Sequence, residues 1–186
     1  MKLTLLGTGT PVPDPKRHGP SQVIESGGEL ILIDCGAGSY HRLLEAGYLQ
    51  PNFSRILLTH LHSDHITGIC DILWAGWISR WWDEPPRLVG PPGTAQFIER
   101  LISAYEYDIK VRSGAERSPE TLIPVVEEVE EGWSTSGGDW RLTAFRVGSS
   151  AGRSGLRLSH RRRRRLDRYL RGHSLLREPG PSREGR

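Results

Sequence analysis

Apolar positions in the first 147 residues recur with two periods. Lys2–Leu6, Gln22–Glu25 and Leu30–Asp34 are short β-rich runs separated by glycine, proline and serine, the pattern of strands joined by turns. Ser39–Ala46 reads as a helix that stops near Gly47, a residue suited to the position just past a helix end. "RILLTH" (Arg55–His60) is a continuous apolar run of the buried-strand kind. Beyond it Ile66, Ile69, Leu73, Trp77 and Trp81 fall at helical spacing. "RLVG" (Arg87–Gly90) predicts a further strand, and Thr94 the cap of a helix running to about Tyr105. "GWSTSGGDWRLTAFRV" reads as a hairpin turning at Gly137-Gly138. Strands alternating with helices and closing on a hairpin predict a layered α/β protein with a mixed sheet. No internal repeat is evident.

The texture changes at Gly148. Residues 148–186 contain no Ile, Val, Phe or Trp and are dense in Arg, Gly and Ser. Such a segment buries too little apolar surface to offset its ordering entropy, so it is expected to be disordered. The division is therefore a domain over 1–147 and an Arg-rich tail over 148–186. The net charge of +3 hides the same division, because residues 1–147 carry −6 and residues 148–186 carry +9. The overall charge thus describes neither piece and does not by itself indicate a nucleic-acid partner.

A chain of 186 residues is long enough to bury one sizeable core. No apolar run approaches the roughly 20 residues of a membrane span, so no membrane partner is expected. "MKLTLLGTGTP" reads as a first strand and not as a secretory signal. Cys35 and Cys70 form no CxxC pattern and read as small buried residues. A reducing cytoplasm is the expected compartment.

One cluster changes the picture. "THLHSDHITG" (Thr59–Gly68) gathers three of the seven histidines, with an aspartate, within six residues directly after a strand. Residues two apart on a strand end can point the same way, so His60 and His62 can reach one ion. Asp64 and His65 can be aimed by a turning backbone at a second ion about 3.5–4 Å away. Imidazole and carboxylate suit zinc, with manganese or iron as alternatives.

HxHxDH is the signature of the metallo-β-lactamase superfamily. "LTLLGTGTPVP", "LILIDCGAG" (Leu30–Gly38), "RILLTHLHSDHITG" and "RLVGPPGT" (Arg87–Thr94) together resemble its ribonuclease Z/arylsulfatase-like branch. The resemblance implies an αββα sandwich, here incomplete, with a dinuclear metal site at one edge of the sheets. It implies that His60 and His62 bind the first Zn2+ (or Mn2+ or Fe2+) and that Asp64 and His65 serve the second. Asp64 would also be the catalytic proton acceptor. Asp34, in "DCGAG", would support the metal loop from behind by orienting a ligating histidine; the alternative is a strand-end aspartate capping a turn. Gly36 and Gly38 suit a tight backbone path there. The implied reaction is hydrolysis of a phosphodiester, or of a sulfate or carboxylic ester, by a metal-bound hydroxide. A tRNA precursor is the candidate substrate and a homodimer the candidate assembly.

Three other features read as structural. "GPPGT" (Gly90–Thr94) lacks the lysine of a phosphate loop and reads as a strand-to-helix turn. Trp74, Trp77, Trp81 and Trp82 lie on or near one helical stripe, the mark of a packed face, with a cleft lining or dimer contact as the alternative. His18 and His41 read as surface or cap residues, although in this branch the loop around His18 can lie near the active site.

The resemblance also exposes a deficit. It calls for a histidine after the "LTAFRV" strand, an aspartate in an "SGDT"-like segment and a late histidine. His160 and His173 stand in unrelated surroundings. Favourable codons for Gly148–His160, read one base later, give Asp-His-Gln-Pro-Val-Asp-Pro-Gly-Phe-Gly-Tyr-Arg, which contains the absent histidine. The same shift turns Leu170–Ser174 into Ser-Gly-Asp-Thr. The tail thus looks like an out-of-frame translation beginning near codon 148. The chain is expected to be an impaired metallo-hydrolase. The alternatives are an inactive truncated product, or an RNA-binding module using Arg161–Arg165.

Overall fold

The structure, a computed structural model, describes residues 1–113, 118–138 and 140–145, and the backbone of 146, 154–160 and 168–170. Its centre is a six-stranded sheet in spatial order β1 (Lys2–Gly7), β2 (Ser21–Ser26), β3 (Glu29–Ile33), β4 (Phe53–Leu57), β5 (Arg87–Gly90) and β6 (Val125–Glu128). The first three strands are antiparallel neighbours, and β3 to β6 run parallel. Parallel neighbours need crossover connections. These are α1 (Ser39–Glu45) between β3 and β4, α2 (Ser63–Ile66) and α3 (Ile69–Ser79) before β5, and α4 (Thr94–Ala104) and α5 (Glu106–Arg112) before β6.

Alternation along the strands sends side chains to two cores. Val23, Leu32, Ile56 and Leu88 pack beneath Leu43 of α1, Ile72 and Leu73 of α3 and Ile98 of α4. Ile24, Ile31, Ile33, Leu57 and Val89 face the other way, against Trp140, Leu142 and Ala144. Those three belong to β8 (Trp140–Arg146), which pairs with β7 (Ser134–Ser136) across the expected hairpin. The layer order is helices, sheet, sheet, which is the expected sandwich without its outer helical layer among the described residues.

Several expectations need correction. The strand expected over 55–60 ends at Leu57, so Thr59 and His60 stand on a loop beyond it. Thr94 is the first residue of α4, not its side-chain cap, and its hydroxyl donates to the Pro91 carbonyl at 2.6 Å. The carboxylate of Glu128 does the capping instead, accepting from the backbone N–H groups of Gly93 and Ala95 at 2.9 and 2.8 Å. An acidic group there also suits the positive end of the helix. Cys35 is buried, whereas Cys70 is only half-buried.

The tail departs from its expected disorder in two places. Backbone 154–160 is strand β9, antiparallel to β8 in register from Trp140↔His160 to Arg146↔Ser154. A short strand β10 (Arg168–Leu170) pairs with it. An edge strand such as β8 offers unpaired N–H and C=O groups, and pairing with them requires no apolar side chain. Arg161–Arg165 and His173 lie outside the described residues.

The tryptophan stripe is a packed face. Trp74, Trp77 and Trp82 are buried, and their indole N–H groups donate to the Asp108 carboxylate, the Ser118 carbonyl and the Thr121 carbonyl at 2.8–3.0 Å. Trp74 ties α3 to α5, and Trp77 and Trp82 tie to the short 3-10 turn Pro119–Thr121 and its cap Ser118. The helical stripe stops at Ser79, so Trp81 and Trp82 lie beyond α3, where Arg80 ends the helix in a left-handed conformation.

Candidate metal centre

The cluster sits at the C-terminal edge of the central sheet, where β3 and β4 end side by side. Their register aligns Ile33 with Leu57, so the residues just past each strand, Asp34 and Thr59, meet although 25 positions separate them. Asp34 takes a left-handed backbone conformation with φ 56°, which is uncommon for a side-chain-bearing residue but accessible to aspartate. That turn tips its carboxylate back into the protein, where the residue is 1% exposed.

The buried carboxylate is fully engaged. Its Oδ1 accepts from the Thr59 backbone N–H at 2.8 Å, and the Thr59 hydroxyl lies 3.0 and 2.9 Å from Oδ1 and Oδ2. Oδ2 is also 2.7 Å from Nδ1 of His65. Asp34 therefore ties the Thr59 backbone and hydroxyl and the His65 ring to one carboxylate.

His65 and Asp64 open the short helix α2 and are buried, whereas His62 is exposed. The Cys35 N–H donates to the His65 carbonyl at 2.7 Å, and the Gly68 N–H to the Cys35 carbonyl at 2.7 Å, stitching the "DCGAG" loop to this turn. The fit needs a missing side chain: a Cβ on Gly36 would lie 2.5 Å from the Asp64 carbonyl oxygen and 2.4 Å from the Gly19 carbonyl carbon. Gly38 (φ 79°) begins α1 in a left-handed conformation that glycine adopts without penalty.

The donors come in pairs. The ring centres of His60 and His62 are 4.6 Å apart, edge to face, and those of His60 and His65 are 4.0 Å apart. Nε2 of His65 lies 3.6 Å from Oδ2 of Asp64, a separation that lets both reach one ion at ordinary zinc bond lengths of about 2.0–2.2 Å. Burial, then the neighbouring His65, pushes the His60 imidazole down to about 4. It is neutral at pH 7, the form that ligates metal. Among the described residues no three His, Cys, Asp or Glu side chains are arranged to hold one ion by themselves. The residues present thus suit a divalent metal in kind and in pairs, short of a closed cage.

Beside Asp64 opens a cleft of about 610 Å³ whose lining includes Thr10, Asp14, Arg17, His18, Ser63 and Asp64. The loop carrying Arg17 and His18 is tied down by backbone bonds from Gly9 to His18 and from Gly19 to Ala37. His18 lines this cleft together with Asp64, while His41 lies exposed on α1. "GPPGT" is the expected strand-to-helix turn, with the Glu128 carboxylate accepting from the Gly93 N–H and from the Ala95 N–H that follows it.

Thr59 and Arg17 were not singled out from the sequence. Thr59 precedes the first histidine of the motif, but nothing in its local pattern marks it as the contact between Asp34 and two imidazoles. Arg17 lies in a proline-punctuated loop whose only signal is its composition.

The profile described as Metallo-beta-lactamase superfamily matches residues 15–166. Ribonuclease Z of Mycolicibacterium gilvum (strain PYR-GCK) is 43% identical over 135 residues, covering 71% of this chain and 47% of that protein. Ribonuclease Z of Mycobacterium sp. (strain KMS) is 40% identical over 165 residues, covering 86% and 58%. The chain thus spans about half the length of these relatives. Among solved structures, the short form of human tRNase Z superposes with a TM-score of 0.68 at 24% identity, covering 88% of this chain and 66% of that one; it supports the fold. With a profile match running through both sheets and a histidine–aspartate cluster at the strand ends, the chain belongs to the metallo-beta-lactamase superfamily.

Proposed function

We propose that the chain derives from a metal-dependent hydrolase of RNA phosphodiesters, resembling ribonuclease Z, with a tRNA precursor as substrate. The carrying observation is the pairing of Asp64 with His65 and of His60 with His62 beside a cleft large enough for a nucleotide. His60 and His62 would hold one divalent ion, zinc or else manganese or iron, and Asp64 and His65 a second. When bound, such ions supply Lewis acidity and lower the pKa of water towards about 7. The Asp64 carboxylate, at the wall of the cleft, receives the proton of the attacking water. Asp34 holds His65 in the ring orientation that ligation requires. Arg17, which also lines the cleft, would supply positive charge for a phosphate.

A second reading is a non-catalytic product, supported by the fact that codons can be chosen for Gly148–His160 and Leu170–Ser174 that give family-like segments one base out of frame. The two readings divide on one set of measurements. The gene is sequenced across codons 140–186, and both the present chain and a frame-restored version are assayed. Bound zinc is counted, and cleavage is followed with a phosphodiester reporter, a tRNA precursor and an aryl sulfate. The restored chain is expected to hold two zinc equivalents and cut the phosphodiesters, with the present chain binding zinc weakly and turning over little. A restored chain that stays metal-free overturns the hydrolase reading, and a shifted frame without both motifs overturns the frame shift.

A further inference from the structure

Thr59 is buried and holds a position that no ligand motif explains. Its hydroxyl lies 3.0 and 2.9 Å from the two oxygens of Asp34, and 3.0 Å from Nδ1 of His60. A hydroxyl has one hydrogen to give and two lone pairs to receive with. The charged carboxylate, which the hydroxyl faces on both oxygens, is the stronger acceptor and takes that hydrogen. What remains toward His60 is a lone pair. Nδ1 of His60 can meet it favourably only by bringing its own hydrogen, since otherwise two acceptors would face each other.

We propose that Thr59 is a positioning residue that relays the Asp34 carboxylate to His60, fixing His60 as the Nδ1–H tautomer and turning its Nε2 lone pair toward the metal site. One buried carboxylate thereby orients two histidines, His65 directly through Oδ2 at 2.7 Å and His60 through the threonine hydroxyl. The strand's end at Leu57 fits this arrangement. A further ladder residue at Thr59 would be held by sheet pairing, whereas here the backbone turns so that the Thr59 N–H and hydroxyl both reach Asp34. Its consequence for metal affinity rests on the metal reading above; the tautomer itself does not.

The test uses the full chain stripped of metal, at neutral pH, with long-range proton–nitrogen NMR on the histidine rings. His60 and His65 are expected as Nδ1–H tautomers. Thr59→Val, which keeps the shape and removes the hydroxyl, should move His60 toward the Nε2–H form that free histidine favours and leave His65 unchanged. Thr59→Ser should restore His60. Zinc titration should show affinity lowered about 10–100-fold in Thr59→Val and within about threefold of the parent in Thr59→Ser. His60 found as Nε2–H in the unsubstituted chain overturns the inference, as does a Thr59→Val chain with His60 unchanged. Should the valine variant not fold, the tautomer in the unsubstituted chain still decides. Absence of zinc binding by the unsubstituted and frame-restored chains overturns the metal reading, and the ring spectra then judge Thr59 separately.

Discussion

Oδ2 of Asp34 sits 2.7 Å from Nδ1 of His65, and both side chains are 2% exposed. This contact joins the end of β3 to the start of α2 across 31 residues. It is the brace on which the candidate centre stands, because the same carboxylate also holds Thr59.

Replacing Asp34 with asparagine keeps the shape and turns one acceptor oxygen into a donor. At least one of the Thr59 and His65 donors then faces an N–H group in a buried place. A buried donor stranded in this way costs about 1–3 kcal/mol. Urea unfolding of Asp34→Asn should show a loss of that size. A midpoint unchanged from the parent would mean that the brace carries no stability.

Gly36 is required for space. The nearest atoms to an added Cβ all belong to backbone, at 2.4–2.7 Å, so none can swing away. Gly36→Ala should destabilise the chain by about 1–3 kcal/mol through overpacking and weaken zinc binding by displacing Asp64. Gly28→Ala is the control. Gly28 has φ 81° with nothing within 4 Å of an added Cβ, so it should lose only the strain of a left-handed residue, about 1–2 kcal/mol. Equal losses at the two sites would show that the loop contact is slack.

Glu128 caps α4 from a different strand. Glu128→Ala should cost about 1 kcal/mol, as the loss of an N-cap acceptor does, and raise hydrogen exchange at the Gly93 and Ala95 amides. Exchange rates that stay as slow as in the parent would place their protection elsewhere.

The metal-free chain should lose stability in mild acid. The His60 imidazole is held down to about 4 in the folded chain, first by burial, against about 6.5 when unfolded. Between these values the unfolded chain binds the extra proton, so stability falls as pH drops from about 6.5 and the loss is complete below about 4. Because His60 is only half-buried, solvent screening reduces the effect to the order of 1–2 kcal/mol. Urea midpoints of the parent and of His60→Gln, measured from pH 7 to pH 4, check this. Parallel curves would assign the acid loss to other groups.

The sequence by itself determined the alternation of strands and helices, the hairpin and the HxHxDH cluster. It could do so because burial imposes periods of 2 and 3.6 on neighbouring residues, and because the ligand-type side chains are packed into one short segment. Leu73 and Trp77 could be assigned to a helical face for the same reason. Only the tertiary structure decided what stands behind the cluster. The parallel register of Ile33 with Leu57 sets Asp34 against Thr59 and His65, and Glu128 reaches the start of α4 because β6 lies beside β5. Such contacts depend on which strands become neighbours and in which register, and no local period encodes that. The pairing of 154–160 with β8 has no local signal for the same reason, since an exposed strand edge recruits backbone whatever the apolar content of the segment that joins it.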